Sequence, residues 1–197
     1  MAGFVVLEGI DGCGKSSVAR LAADRFGKRA ALTREPTDSW IGKAVRKGEK
    51  GEVSPYTDAL LFMADRAQHT LEIADLMKKG RLVVCDRYYH STVAYQTSSL
   101  RRKGLGDNFS WLLDANTRIS IHPDITFVLE VDPETALERI KNRSELSRFE
   151  KLDFLKEVQK NYRRLARADD SITVVDGDRP LEEVAEEVVD AIRKRRL

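Results

Sequence analysis

The sequence predicts an α/β fold: a doubly wound, parallel five-stranded sheet flanked by helices. Three observations predict it. Five short, β-branched runs recur along the chain, each mostly apolar, as strands covered on both faces are. Between them lie segments with apolar residues spaced three and four apart, the period of a helix that packs on one side. The residues with recognisable chemistry follow the strand runs, as they do in open sheets whose ligands bind beyond the carboxyl ends of the strands.

In chain order, the strands are read at residues 4–7, 30–33, 82–85, 125–129 and 172–175. The helices are read at 15–26, 41–47, 56–79, 90–100, 109–119, 133–142, 152–168 and 181–195. The first strand runs into Gly9-Ile10-Asp11-Gly12-Cys13-Gly14-Lys15-Ser16, a complete G-x-x-x-x-G-K-[ST] phosphate loop, with Ser17 next in the following helix. Its glycines let backbone N–H groups turn inward around phosphate oxygens. The helix offers its positive end to the same anion, Lys15 brings a mobile charge, and the Ser16 hydroxyl can hold Mg²⁺. The bland alternative is a Gly-rich turn that binds nothing. The second strand is followed by Thr33-Arg34-Glu35-Pro36 and the third by Asp86-Arg87-Tyr88.

A chain of 197 residues supports one domain with a real core. The basic, Ser-containing stretch 139–151 interrupts the apolar pattern and reads as a mobile lid. Lys and Arg number 34 against 32 Asp and Glu, so the net charge of +2 does not mark a nucleic-acid binder. Two cysteines, Cys13 and Cys85, have neither disulfide nor metal spacing, which points to reduced thiols and a cytoplasmic protein. No apolar run approaches the ~18 residues of a membrane span.

Asp86 ends an apolar strand, where an enzyme with a phosphate loop needs a carboxylate near Mg²⁺. The alternative there is a carboxylate with no metal. Arg87 beside it has the geometry for bidentate phosphate contact. In the longest helix, Leu60, Met63, Ala67, Leu71 and Ala74 form a stripe that reads as the core face. Phe62 and Arg66 lie off that stripe, one turn apart, placed either to stack and hydrogen-bond a base or to pack on a second element. Arg139 and Arg143 share a helix face and Arg148 follows. They read as a solvated charged face or as a lid bringing charge to a transferred phosphoryl group. His69, His90 and His122 have no partner at a catalytic spacing and read as structural or surface residues.

These motifs, taken in order, resemble the thymidylate kinase family over nearly the whole chain. The carriers are Glu8-Gly9-Ile10-Asp11 leading into the phosphate loop, Thr33-Arg34-Glu35-Pro36, Leu61-Phe62-Met63-Ala64-Asp65-Arg66, Asp86-Arg87-Tyr88 with Ser91-Thr92-Val93-Ala94-Tyr95-Gln96, and residues 143–150. The resemblance implies a fold like that of phosphate-loop nucleoside monophosphate kinases. It also implies transfer of the γ-phosphoryl of ATP to dTMP with Mg²⁺, in a homodimer. Lys15, Arg87, Asp11, Arg143 and Arg148 are then the catalytic set. Gly9, Ile10, Asp11, Gly12, Cys13, Gly14, Lys15, Ser16 and Ser17 bind ATP, and Ser16 and Asp86 hold the metal. Asp11, Arg34, Glu35, Arg46, Phe62, Arg66, Arg87, Thr92, Tyr95 and Gln96 bind dTMP. Family members without a basic residue at the position of Gly12 supply that charge from the lid. Thr37-Asp38 replaces a frequent Gly-Gly and changes that loop. The rival readings are another nucleoside or nucleotide kinase and a nucleotide-dependent switch; the guanine-reading Asn-Lys-x-Asp of the latter is missing from the sequence.

Overall fold

A computed structural model describes residues 2–51, 53–141 and 151–197. Its strands are β1 (Gly3–Gly9), β2 (Ala30–Arg34), β3 (Leu82–Asp86), β4 (Ile125–Glu130) and β5 (Ile172–Asp176). They form one sheet in the order β2-β3-β1-β4-β5, with every neighbouring pair parallel. The helices are α1 (Lys15–Phe26), α2 (Trp40–Lys50), α3 (Pro55–Lys78), α4 (Tyr89–Arg102), α5 (Phe109–Arg118), α6 (Pro133–Ile140), α7 (Leu152–Ala168) and α8 (Leu181–Lys194). This is the doubly wound α/β fold the sequence predicts.

Strand alternation divides β1 between two apolar layers. Val5 and Leu7 pack with Val18 and Ala22 of α1 and Val184 and Val188 of α8. Phe4 and Val6 pack with Val83, Cys85, Ile73 of α3, and Tyr88. The chain passes from β1 to one side of the sheet for β2 and β3, then crosses to the other for β4 and β5. The reversal falls at β1, so a ligand crevice is expected at its carboxyl end, where the phosphate loop lies. There Leu7 pairs with Asp86, Arg34 pairs with Asp86 from the other side, and Gly9 pairs with Leu129.

Two departures from the sequence reading are informative. The stripe on α3 is not its core face: Leu60 is 56% and Leu71 64% exposed, and Ala67 is exposed too. The buried face instead carries Asp58, Ala59, Asp65, Arg66, His69 and Ile73. Polar residues win that face because Asp65, Arg66 and His69 find hydrogen-bond partners there, which hydrophobic periodicity cannot register. Second, α4 is buried on nearly every side from Tyr89 to Ser98 although its sequence is largely polar. It lies between β1, α3, α5 and α7 and carries half of the candidate site.

Candidate active site

The phosphate loop joins β1 to α1 through glycines in the left-handed region, Gly12 at φ 86° and Gly14 at φ 92°. A Cβ on Gly9 would come within 2.7 Å of both Cys13 Sγ and the Leu129 carbonyl oxygen. No side chain caps α1, so N–H groups of its first turn stay open to an anion. Lys15 is buried, its Nζ donating to the Ile10 carbonyl at 3.2 Å and lying 3.8 Å from Asp11 Oδ1. Cys13 is buried beneath the loop as a free thiol, and burial raises its pKa.

Ser16 and Asp86 line one cleft of about 600 Å³, with Arg20, Arg34, Thr37 and Asp38. Asp86 Oδ1 is buried without a hydrogen-bond partner. A carboxylate with an unpartnered oxygen and a hydroxyl lining the same cleft are donors of the kind a Mg²⁺ ion uses when nucleotide phosphates and water complete its shell. These residues fit that ion. Among the described residues no cluster of three His, Cys, Asp or Glu side chains forms a cage for another metal.

A second cavity is lined by Asp11, Pro36, Glu49, Phe62, Arg87, Ser91, Thr92, Tyr95 and Gln96. Arg87 has φ 72° and reaches across it, Nη2 to Asp11 Oδ1 at 2.5 Å and Nη1 to Ser91 Oγ at 3.1 Å. Tyr95 OH donates to Asp11 Oδ2 at 3.0 Å and accepts from the Asp11 backbone N–H at 2.9 Å. Burial, then the Asp11 carboxylate, push the Tyr95 phenol well above its usual range, so it stays a donor. Thr92 Oγ1 and Gln96 Oε1 are buried without partners.

Six of the expected acceptor residues (Asp11, Phe62, Arg87, Thr92, Tyr95 and Gln96) therefore share one cavity. Glu35 and Arg66 do not line it. Both are buried, Arg66 Nη2 donating to Glu35 Oε2 and Nη1 to Asn116 Oδ1, each at 2.5 Å, while His69 Nδ1 lies 3.0 Å from Glu35 Oε1. Arg34 opens on the cleft with Ser16 and Asp86, and its Nη2 lies 3.1 Å from Asp38. Arg46 donates to the Pro36 carbonyl at 3.0 Å and pairs with the same Asp38. The Thr37-Asp38 loop is held by Asp65, which accepts from Thr37 N at 2.7 Å and Thr37 Oγ1 at 2.6 Å. Arg139 is tied to the Gly177 carbonyl and Asp178. Arg143 and Arg148 lie outside the described residues. Reading the sequence missed Glu8 and Ser91 as members of the site; the available signal was a carboxylate closing an otherwise apolar strand.

The family model for thymidylate kinase matches residues 7–188, a span holding the phosphate loop, both cavities and every strand of the sheet but the start of the first. The chain belongs to the thymidylate kinase family. Its members phosphorylate dTMP to dTDP with ATP as donor. A probable thymidylate kinase of Methanocaldococcus jannaschii is 43% identical over 188 residues, 94% of this chain and 93% of the relative. One of Archaeoglobus fulgidus is 40% identical over 189 residues, covering 94% and 92%. A solved thymidylate kinase of Candida albicans superposes with a TM-score of 0.80 over 99% of this chain and 92% of that one, at 24% identity, and so shares the fold.

Proposed function

We propose that dTMP phosphorylation proceeds here by positioning and charge neutralisation, with the phosphate loop holding ATP and the Asp11–Gln96 cavity holding dTMP. The acceptor phosphate is itself a nucleophile at neutral pH, so no general base is required. Lys15 and the N-terminus of α1 hold the donor phosphates, and Ser16 and Asp86 would hold Mg²⁺, which would supply neutralising charge to the phosphate oxygens. Arg87 meets the acceptor phosphate, with Arg34 and Arg46 contributing from the loop after β2. Arg143 and Arg148, assigned to the transferred phosphate by resemblance, lie outside the described residues, as does most of the lid proposed at 139–151.

The observation that carries the acceptor assignment is a buried, unpartnered group in the cavity wall: Gln96 Oε1 is an acceptor without a donor. Thymine offers the complement, an N3–H. Phe62 supplies the stacking face, Thr92 a further polar contact, and Tyr95 fills the space where a ribose 2′-hydroxyl would go. Glu35 and Arg66 pair with one another in the interior. Calorimetric titration with dTMP tests the stacking role: Phe62→Ala weakens binding by about 10-fold or more, and wild-type affinity in that variant contradicts it.

The exposed residues Leu60, Ala67 and Leu71 fall on one side of α3, and a homodimer joined through that helix would give this apolar row a partner surface. No helix among the described residues is long and apolar enough to cross a membrane, and a cytoplasmic location accords with the two free, buried thiols.

A further inference from the structure

Glu8 is fully buried near the carboxyl end of β1, the central strand. Burying a carboxylate costs several kcal/mol unless donors replace its water. Four do. Tyr88 N (2.8 Å) and Ser91 N (3.1 Å) donate to Oε1, and Ser91 Oγ (2.5 Å) and Tyr162 OH (3.0 Å) donate to Oε2. One side chain thus joins β1, the start of α4, and α7.

The direction of one proton gives this cluster a consequence outside itself. A carboxylate only accepts, so Ser91 turns its single hydroxyl proton towards Glu8. Its lone pairs are left for Arg87, whose Nη1 donates to Ser91 Oγ at 3.1 Å, and for the Tyr162 hydroxyl 2.9 Å away. The Arg87 backbone is held in the left-handed region, which costs a non-glycine residue about 1–2 kcal/mol. It is pinned on one side by Arg87 N donating to the Leu7 carbonyl at 2.9 Å and on the other by Tyr88 N donating to Glu8.

We propose that Glu8 is a positioning residue for phosphoryl transfer. Its ionised carboxylate makes the Ser91 hydroxyl an acceptor for Arg87 and so aims the Arg87 guanidinium at the acceptor phosphate. The inference rests on the reading of Arg87 as the acceptor-phosphate cation.

Glu8→Gln tests it with little change of shape. An amide nitrogen at the Oε1 position would face two fixed N–H donors. It therefore takes the Oε2 position, where the Ser91 hydroxyl must rotate to accept from it and turn its own proton towards Arg87. We expect kcat/KM for dTMP to fall about 30-fold, while Ser91→Ala, which keeps the Ser91 N–H bond to Glu8, falls by a similar factor. Within Arg87→Ala, adding Glu8→Gln should cost nothing further, because the group it positions is gone. A merely structural role would lower the melting temperature and multiply independently with Arg87→Ala. If Arg87→Ala loses activity but Glu8→Gln and Ser91→Ala stay within about 2-fold of wild type, or multiply fully with it, the positioning role is overturned while the Arg87 reading stands. If Arg87→Ala itself retains wild-type kcat/KM, the Arg87 reading fails and the inference falls with it. Should Glu8→Gln not fold, the Ser91→Ala and Arg87→Ala cycle decides alone.

Discussion

The carbonyl oxygen of Ala136 occupies the space that a Cβ on Gly12 would need. α6 packs directly on the phosphate loop at this point, and Gly12 is also held at φ 86°, where side chains are strained. The position is thereby closed to a side chain in this protein, a basic one included, so a charge for the phosphates has to come from elsewhere.

Gly12→Ala should accordingly lose about 2–4 kcal/mol, from backbone strain and from displacement of α6. Thermal unfolding should register it as a drop of roughly 5–15 °C for a domain of this size. ATP turnover should fall with it. A variant with wild-type melting temperature and kcat/KM would show that α6 does not brace the loop.

His90 carries a second, pH-dependent expectation. The ring is buried and stacked on Tyr89, with a centroid separation of 3.9 Å and both nitrogens unpartnered. Burial lowers its pKa to about 3, against an opposing pull from Asp169 and a further lowering by Arg66 and His122; Glu8 Oε1 lies 3.8 Å away. Below its ordinary pKa of 6.5 the unfolded chain takes up a proton that the folded chain refuses. Stability therefore falls as pH drops from about 6.5 towards 3, by up to about 1.4 kcal/mol per pH unit. His90→Phe keeps the stack and should lose about 2 kcal/mol less than wild type between pH 7 and pH 5 in urea unfolding. Equal losses would mean that His90 does not titrate in this way.

What the sequence made legible and what it hid follow from the kind of interaction. The strands at 82–85 and 125–129 and the phosphate loop are local patterns, and the structure reproduces them to within a residue. β1 is longer than its apolar run because Glu8 and Gly9 pair with Val128 and Leu129, and a buried carboxylate does not read as strand. The core face of α3 was misread for the same reason. Arg66, Asp65 and His69 are buried by partners from β2, the loop after it and α5, at separations of tens of residues, which no local periodicity encodes. Of the cavity residues, Arg87 was legible from its place at a strand tip and Phe62 as one of two readings of its helical phase, whereas Tyr95 and Gln96 were legible only as motif members. That Arg66 is absent from the cavity wall follows from Glu35 and Asn116, which hold its guanidinium in the interior.

The exposed row on α3 leads to an expectation about assembly. With Leu60 and Leu71 more than half exposed, a dimer through this face would bury them, and each would contribute about 1.5–3 kcal/mol. Sedimentation equilibrium should show a dimer for the wild type and a monomer for the double variant Leu60→Glu, Leu71→Glu. A wild-type monomer, or a double variant that still dimerises, would place the interface elsewhere or remove it.

The central claim is that the Asp11–Gln96 cavity is built for dTMP, and steady-state kcat/KM across dTMP, dUMP, dCMP and AMP tests it most directly. Gln96 Oε1 awaits a donor, which the N3–H of thymine and uracil presents and the bare N3 of cytosine does not. A site left with such an unpaired group rejects the wrong base by about 10³-fold or more. dTMP should be the best substrate, with dCMP and AMP lower by at least that order. Turnover of a purine monophosphate equal to or above that of dTMP would contradict the assignment.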